Sequence, residues 1–185
     1  MIVDIGGGQI GAAVVSLGGI VASATAKMGG SKLDEAITLY VRRVHNLIIG
    51  ERMAEDVKVK IGSATPLSPK KTIEVKGRDT ISGLPKVVTI DSSEVTEAIG
   101  PSLNVIVQTI KNVLEQTPPE LASDIIDRGV VLTGGSSQLR NLDKLVSAQI
   151  GLSVYTVEDP LRVVVYGTGA ALENIDRWRR LVQVR

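Results

Sequence analysis

The sequence predicts an α/β fold: a mixed sheet with flanking helices from residues 1–31 and 120–185, with a smaller α+β lobe, residues 32–119, inserted between them. Three observations carry this reading. The first 27 residues are short β-forming runs separated by glycines. From about residue 31 the apolar residues recur at helical spacing. The last third, opening at "GVVLTGGSSQLRNLDKLV", alternates strand, helix, strand, helix.

Composition narrows the class. The 185 residues are enough for one good core or two small ones. With 43% hydrophobic and 22% charged residues the chain belongs with neither disordered nor membrane proteins. Its net charge of +1 gives no reason to expect a nucleic-acid partner. The absence of cysteine excludes disulfides, thiolate metal sites and a cysteine nucleophile, and a single histidine excludes a multi-histidine metal site. No apolar run approaches bilayer-spanning length and no basic-then-apolar leader opens the chain, so a soluble cytoplasmic domain is expected. Without phenylalanine the core must be built from Val, Ile, Leu and Ala, and a base is not held by aromatic stacking.

The first element, "IVDIGGGQIG" at 2–11, contains Gly6, Gly8 and Gly11 in the dinucleotide-binding pattern G-x-G-x-x-G. That fingerprint needs a helix directly after its glycines. Here β-formers follow, and the Leu17-Gly18-Gly19 pause inside "AAVVSLGGIVASATAK" signals a hairpin, so residues 1–27 read as antiparallel strands. No Gly-Lys-Ser/Thr follows either, which excludes a Walker loop.

Next, Ser31 and Asp34 have capping-box spacing, and Leu33, Ile37, Tyr40, Val41, Val44, Leu47 and Ile48 share one helical face. His45, at the edge of that stripe with no partner nearby in sequence, reads as structural or solvent-facing. Residues 51–61 form a second helix stopped by Gly62, and 72–91 two strands around a polar loop containing Gly77, Gly83 and Pro85. Asp91 and Glu94 cap a helix that breaks at Gly100-Pro101, resumes through "LNVIVQTIKNVLEQT" and closes at Pro118-Pro119. A buried strand then leads through Gly134-Gly135 into a helix starting near Ser136 or Ser137, whose unpaired N–H groups suit phosphate or sugar oxygens. "SVYTVE" is a further strand. Asp159-Pro160 starts the last helix, in which Gly167 and Gly169 signal close packing. The terminal "RWRRLVQVR" reads as the solvated end of that helix with Trp178 packed back.

Taken together, "VDIGGG" at 3–8, "SLGGIVAS" at 16–23, "LDEAI" at 33–37, "NLIIGER" at 46–52, "KVKIGSA" at 58–64, "TPPELASDIIDRGVVLTGG" at 117–135 and "EDPLRVVVYGTGAALEN" at 158–174 resemble the actin-like ATPase superfamily, and within it the MreB-like cell-shape actins. The resemblance spans the chain but covers only the second half of such a protein. It implies an actin-like, ribonuclease H-like fold, with 1–31 and 120–185 as subdomain IIA and 32–119 as the inserted subdomain IIB. It also implies a half that binds ATP with Mg²⁺ and polymerises into cytoskeletal filaments. The implied partners are other copies of the chain, the missing first half and a RodZ-like membrane-anchored shape protein, placing the protein in the cytoplasm with only indirect membrane contact.

On that resemblance the backbone N–H groups of Gly6, Gly7, Gly8 and Gln9 wrap the phosphates, and Asp4 holds Mg²⁺ through water. Glu55 and Lys58, three apart on one helix face, contact ribose and adenine, the competing reading being a surface ion pair. Gly134, Gly135, Ser136 and Ser137 close the adenosine side. Gly29 and Gly30 line the sugar or form a strand-to-helix turn. The sequence departs from the family at Gln9, Ile10 and Gly11, where two threonines and a glutamate are usual, and at Ser31, usually acidic. Gln9 can still position a water, since its amide both donates and accepts. Hydrolysis by this chain alone is not expected, because half a cleft cannot surround a phosphoryl group. Two competing readings remain: a non-catalytic interaction module that keeps the fold, and half of an Hsp70-type ATPase.

Overall fold

The structure is a computed structural model in which residues 1–175 are described; "RWRRLVQVR" at 177–185 lies outside them. The chain opens as strands β1 (Ile2–Ile5), β2 (Ile10–Ser16) and β3 (Gly19–Ala26), paired antiparallel in sequence order. Alternation sets their faces: Val3, Ile5, Ile10, Ala12 and Val14 are buried, while Ile2 and Val15 are exposed. The sheet is completed by β7 (Val130–Thr133), parallel to β1, and β8 (Val154–Thr156), giving the order β3-β2-β1-β7-β8.

Helices α1 (Gly30–His45) and α2 (Glu51–Ile61) and a three-stranded sheet, β4 (Leu47–Ile48), β5 (Thr72–Asp79) and β6 (Pro85–Asp91), form the second layer. Helix α3 (Ser92–Glu115) ties the layers together, packing on β2 and β3 and on α1 and β6. Its buried Val95, Ile99, Leu103, Ile106, Ile110 and Val113 follow helical spacing, and each fully buried Ile or Leu contributes roughly 1.5–3 kcal/mol. As composition requires, the core is entirely aliphatic.

Several expectations are corrected. Helix α3 runs unbroken through Gly100-Pro101. Pro101 and Glu97, the residue whose carbonyl loses its donor, both face solvent, and Gly100 has no Cβ to clash with the proline ring. The Asp91–Glu94 capping box at its start is complete: Asp91 Oδ1 accepts from Ser93 N and Glu94 N, while Glu94 Oε1 accepts from Asp91 N. In contrast, Ser31 caps nothing; the N-cap of α1 is Gly29. That helix ends at left-handed Asn46, so Leu47 and Ile48 belong to β4. His45 is anchored by Glu94, 2.6 Å away, a partner 49 residues distant in sequence. Gly77 lies inside β5, where a Cβ would meet the Ile48 backbone. A helix not foreseen, α4 (Pro119–Arg128), begins with proline at its first position. After β7 comes only a short 3-10 turn, Gly135–Gln138, before α5 (Leu142–Ile150). The last described helix, α6 (Val163–Glu173), starts three residues beyond Pro160. Its Gly167 and Gly169 face open space rather than close packing, and none of its residues is buried.

The β5–β6 turn supplies a pH prediction. The Asp79 carboxylate accepts from Ile81 N and Ser82 N at 2.9 Å and from Lys86 Nζ at 2.8 Å. Lys86 foremost, with the turn amides, holds its carboxyl well below the usual carboxylate range. A depressed folded-state value stabilises the turn above the ordinary aspartate value, and that contribution is lost as pH falls through the folded value. Amide exchange at residues 80–84, corrected for intrinsic rates, should therefore rise as pH drops below about 4. Asp79→Asn should abolish this acid limb.

Candidate functional site

The β1–β2 loop is closed by a bond from Gly6 N to Gln9 O at 3.0 Å. Its carbonyls bind the neighbouring elements: Gly6 O accepts from Gly30 N at 3.0 Å and from Ser136 Oγ at 2.9 Å, and Gly7 O accepts from Ser31 N at 2.8 Å. The first two N–H groups of α1 are thus engaged by the loop, and those of Lys32 and Leu33 by Gly29 O. Gly29 is explained by the same contact, since a Cβ there would lie 2.5 Å from Gly6 O and 2.6 Å from Gly7 O. Gly30 sits between Ser136 and Lys58, a Cβ meeting Ser136 Oγ at 2.8 Å. Gly29 therefore makes a strand-to-helix turn, whereas Gly30 also lines the cleft.

Among the described residues the N–H groups of Gly7, Gly8 and Gln9 make no hydrogen bond, and all three residues are exposed. Neither glycine has a positive φ, and a Cβ on Gly8 would meet nothing within 4 Å. The fold itself does not require glycine at position 8. Beneath the loop, half-buried Asp4 has no ion-pair partner among the described residues.

From the loop a cleft runs between α2 and the 3-10 turn. One cavity of about 310 Å³ is lined by Gly7, Ser31, Asp34 and Glu55, and it adjoins another of about 320 Å³ lined by Leu33, Leu139 and Arg140. Lys58, Val59, Gly135, Ser136 and Gln138 line both. Lys58 Nζ donates to Asp34 Oδ2 at 2.8 Å and to Gly30 O at 3.2 Å. The competing reading, a Glu55–Lys58 ion pair, does not form among the described residues; exposed Glu55 is left facing the cleft. Burial raises the Asp34 carboxyl above its ordinary value, outweighing the pull of Lys58, and its other oxygen, Oδ1, is buried without a hydrogen bond.

On the opposite side Gly134, expected to close the adenosine end, lines neither cavity; it adopts φ +84° and packs against Asp4 and Ile5. Ser136 lines the cleft, but Ser137 turns inward, 3% exposed, with its hydroxyl on Gly134 O at 2.7 Å. Ser137 therefore lines neither cavity, against the expectation that it would face the adenosine side. Nor does an α-helix N-terminus face the cleft here; its place is taken by the 3-10 turn. Asp34, Gln138, Leu139 and Arg140 were not foreseen. The only local signal for the last three was their position directly after Gly-Gly-Ser-Ser.

The family model for "MreB/Mbl protein" matches residues 1–180. The chain is 49% identical over 177 residues to the cell shape-determining protein Mbl of Bacillus cereus, covering 96% of this chain and 53% of that protein. It is 50% identical over 176 residues to the cell shape-determining protein MreB of Escherichia coli, covering 95% and 51%. It thus spans about half the length of the curated relatives it matches. Among solved structures it is similar to MreB 5 of Spiroplasma citri bound to AMPPNP, with TM-score 0.91 at 37% identity, over 95% of this chain and 53% of that one. A MamK double helical filament, TM-score 0.70 at 24% identity over 86% and 49%, shares the fold. The actin-like fold expected from the motifs is therefore borne out.

Proposed function

The chain belongs to the MreB/Mbl family, and from that premise we propose that it forms one wall of an ATP site in a filament-forming, cell-shape-determining actin. The observation that carries this reading is the set of free N–H groups on Gly7, Gly8 and Gln9, one of them on a glycine the fold does not need. Such a bend admits phosphate oxygens to the main chain, which side chains would obstruct. Asp4, unpaired among the described residues, fits a hydrated Mg²⁺ whose remaining ligands are water and phosphate oxygens; the ion would offset phosphate charge. Glu55 and Lys58 would hold the ribose and adenine, with Gly30, Gly135 and Ser136 alongside.

Gln9 is the residue proposed to orient water at the terminal phosphate. Of the departures at positions 9–11 only Gln9 stands in the loop; Ile10 is fully buried, Gly11 is paired with Thr25 inside the sheet, and the fourth, Ser31, donates its backbone N–H to Gly7 O. The departures thus leave the donor set of the bend intact. The second wall would come from the other half of the longer proteins, and we assign the exposed apolar surface of α6, Val164, Val165, Tyr166 and Leu172, to that half. Self-association would draw on the exposed hairpin tips, Leu17 and Ile20 on one sheet and Ile81 and Leu84 on the other. Membrane contact would run through a RodZ-like anchored partner; no helix among the described residues is long and apolar enough to cross a membrane.

Calorimetric titration with ATP and Mg²⁺, on the chain alone and after mixing with a separately made complementary half, tests the proposal. Weak binding alone that tightens on mixing is the expected result. No binding in either case would favour the non-catalytic interaction module.

A further inference from the structure

Arg140 follows the 3-10 turn, yet most of its contacts are to α2 and the segment after it. Its Nη1 donates to Val59 O at 2.9 Å and to Gly62 O at 3.2 Å. Val59 O is one of the last-turn carbonyls that a helix leaves without an intrahelical donor, and a cation there also opposes the helix dipole. The backbone of the same residue is engaged too: Arg140 O accepts from Ala64 N at 2.8 Å and from the Ser63 hydroxyl at 3.2 Å, and Ser63 and Arg140 form an isolated parallel bridge. Asn141, in the left-handed conformation that brings its side chain round, donates to Ser63 Oγ at 3.2 Å. Ser63 is fully buried. One residue thus clips together two segments more than 70 positions apart, through both side chain and main chain.

The clip joins the two walls of the cleft. Lys58 directly precedes Val59, Glu55 lies one turn earlier, and the Gly135–Leu139 wall immediately precedes Arg140. We propose that Arg140 is a positioning residue for the adenosine end of the site, setting the separation between the Glu55 and Lys58 side chains and the Ser136–Leu139 wall. This inference rests on the nucleotide-binding reading above. It predicts that losing the guanidinium loosens the adenosine end and leaves the phosphate loop, held by Gly30 N and Ser31 N at the start of α1, unchanged.

The test compares Mg²⁺-ATP with inorganic tripolyphosphate, measured by calorimetry on the whole chain as wild type, Arg140→Ala and Arg140→Lys. Arg140→Ala should weaken ATP about tenfold, an effect carried through the shifted cleft walls and not through any bond to ATP, with tripolyphosphate unchanged. Arg140→Lys, which restores a cationic donor, should recover ATP binding to within about threefold. It also serves as the working variant if the alanine form does not fold. Equal losses for ATP and tripolyphosphate, or wild-type ATP affinity in the substituted forms, would overturn the positioning role alone. A wild type that binds neither ligand, alone or after mixing with the complementary half, would overturn the nucleotide reading and this inference together.

Discussion

Replacing Gly134 with alanine is expected to cost about 3–5 kcal/mol, a large share of the roughly 5–15 kcal/mol that holds a domain together. Two terms add. Gly134 sits at φ +84° and ψ 158°, a region essentially restricted to glycine, where any other residue costs roughly 1–3 kcal/mol. The added Cβ would also lie 2.5 Å from Ile5 O and still closer to Asp4 Oδ1, so the central strand itself would have to move. Relief by a side-chain rotation is unavailable, because one obstacle is backbone. Thermal unfolding should show a fall in Tm of roughly 10 °C or more. Gly8→Ala is the control that separates fold from function. Its Cβ meets nothing and its φ is not positive, so stability should change by less than about 0.5 kcal/mol while Mg²⁺-ATP binding falls. Loss of stability at position 8, or its retention at 134, would contradict the division of labour between these two glycines.

What could be read from the sequence was local. The β1–β2 loop was legible because glycines between β-formers permit few alternatives, and the Asp91–Glu94 capping box because its two partners are three residues apart. The continuity of α3 was hidden by the propensity of Gly100-Pro101. Ile99, Leu103 and Ile106 stay in helical phase across the proline, and their burial outweighs the lost hydrogen bond. Ser31 looked like a cap, but the helix starts one residue earlier, with Gly29 as N-cap and the Ser31 N–H held by Gly7 O of the β1–β2 loop. In the site, Gly7, Gly30, Glu55, Lys58, Gly135 and Ser136 could be named in advance and do line one cleft. Ser137 was misread because only the fold decides which of two consecutive serines turns inward. The bonds that shape the cleft were invisible for a simpler reason: Lys58 reaches Asp34 across 24 residues and Arg140 reaches Gly62 across 78. No periodicity or spacing rule spans such distances.

The Lys58–Asp34 pair carries the second large effect, and its sign follows from burial. Both side chains are about 85% buried, with 14% and 15% exposed, and Asp34 Oδ1 has no hydrogen bond. Desolvation dominates the carboxyl, raising it above its ordinary value even beside an ammonium, so folding makes ionisation harder than it is in the unfolded chain. Lys58→Met removes the charge that compensates the carboxylate among the described residues and should cost about 3–5 kcal/mol near neutral pH, the range for breaking a buried pair from one side. A raised folded-state value means stability is fully present below the unfolded aspartate value and lost as pH rises through the folded one. The Lys58→Met deficit should therefore nearly vanish in acid and open as pH climbs above about 4, measured by urea unfolding across the pH series. Asp34→Asn combined with Lys58→Met removes both charges and should return to within about 1 kcal/mol of the starting protein. ATP affinity should stay low in both variants, because the ammonium facing the cleft is missing from each. If the double variant regained both stability and ATP binding, Lys58 would be serving only to neutralise Asp34, and the adenosine end of the site would have to be assigned to Glu55 and the Ser136–Leu139 wall.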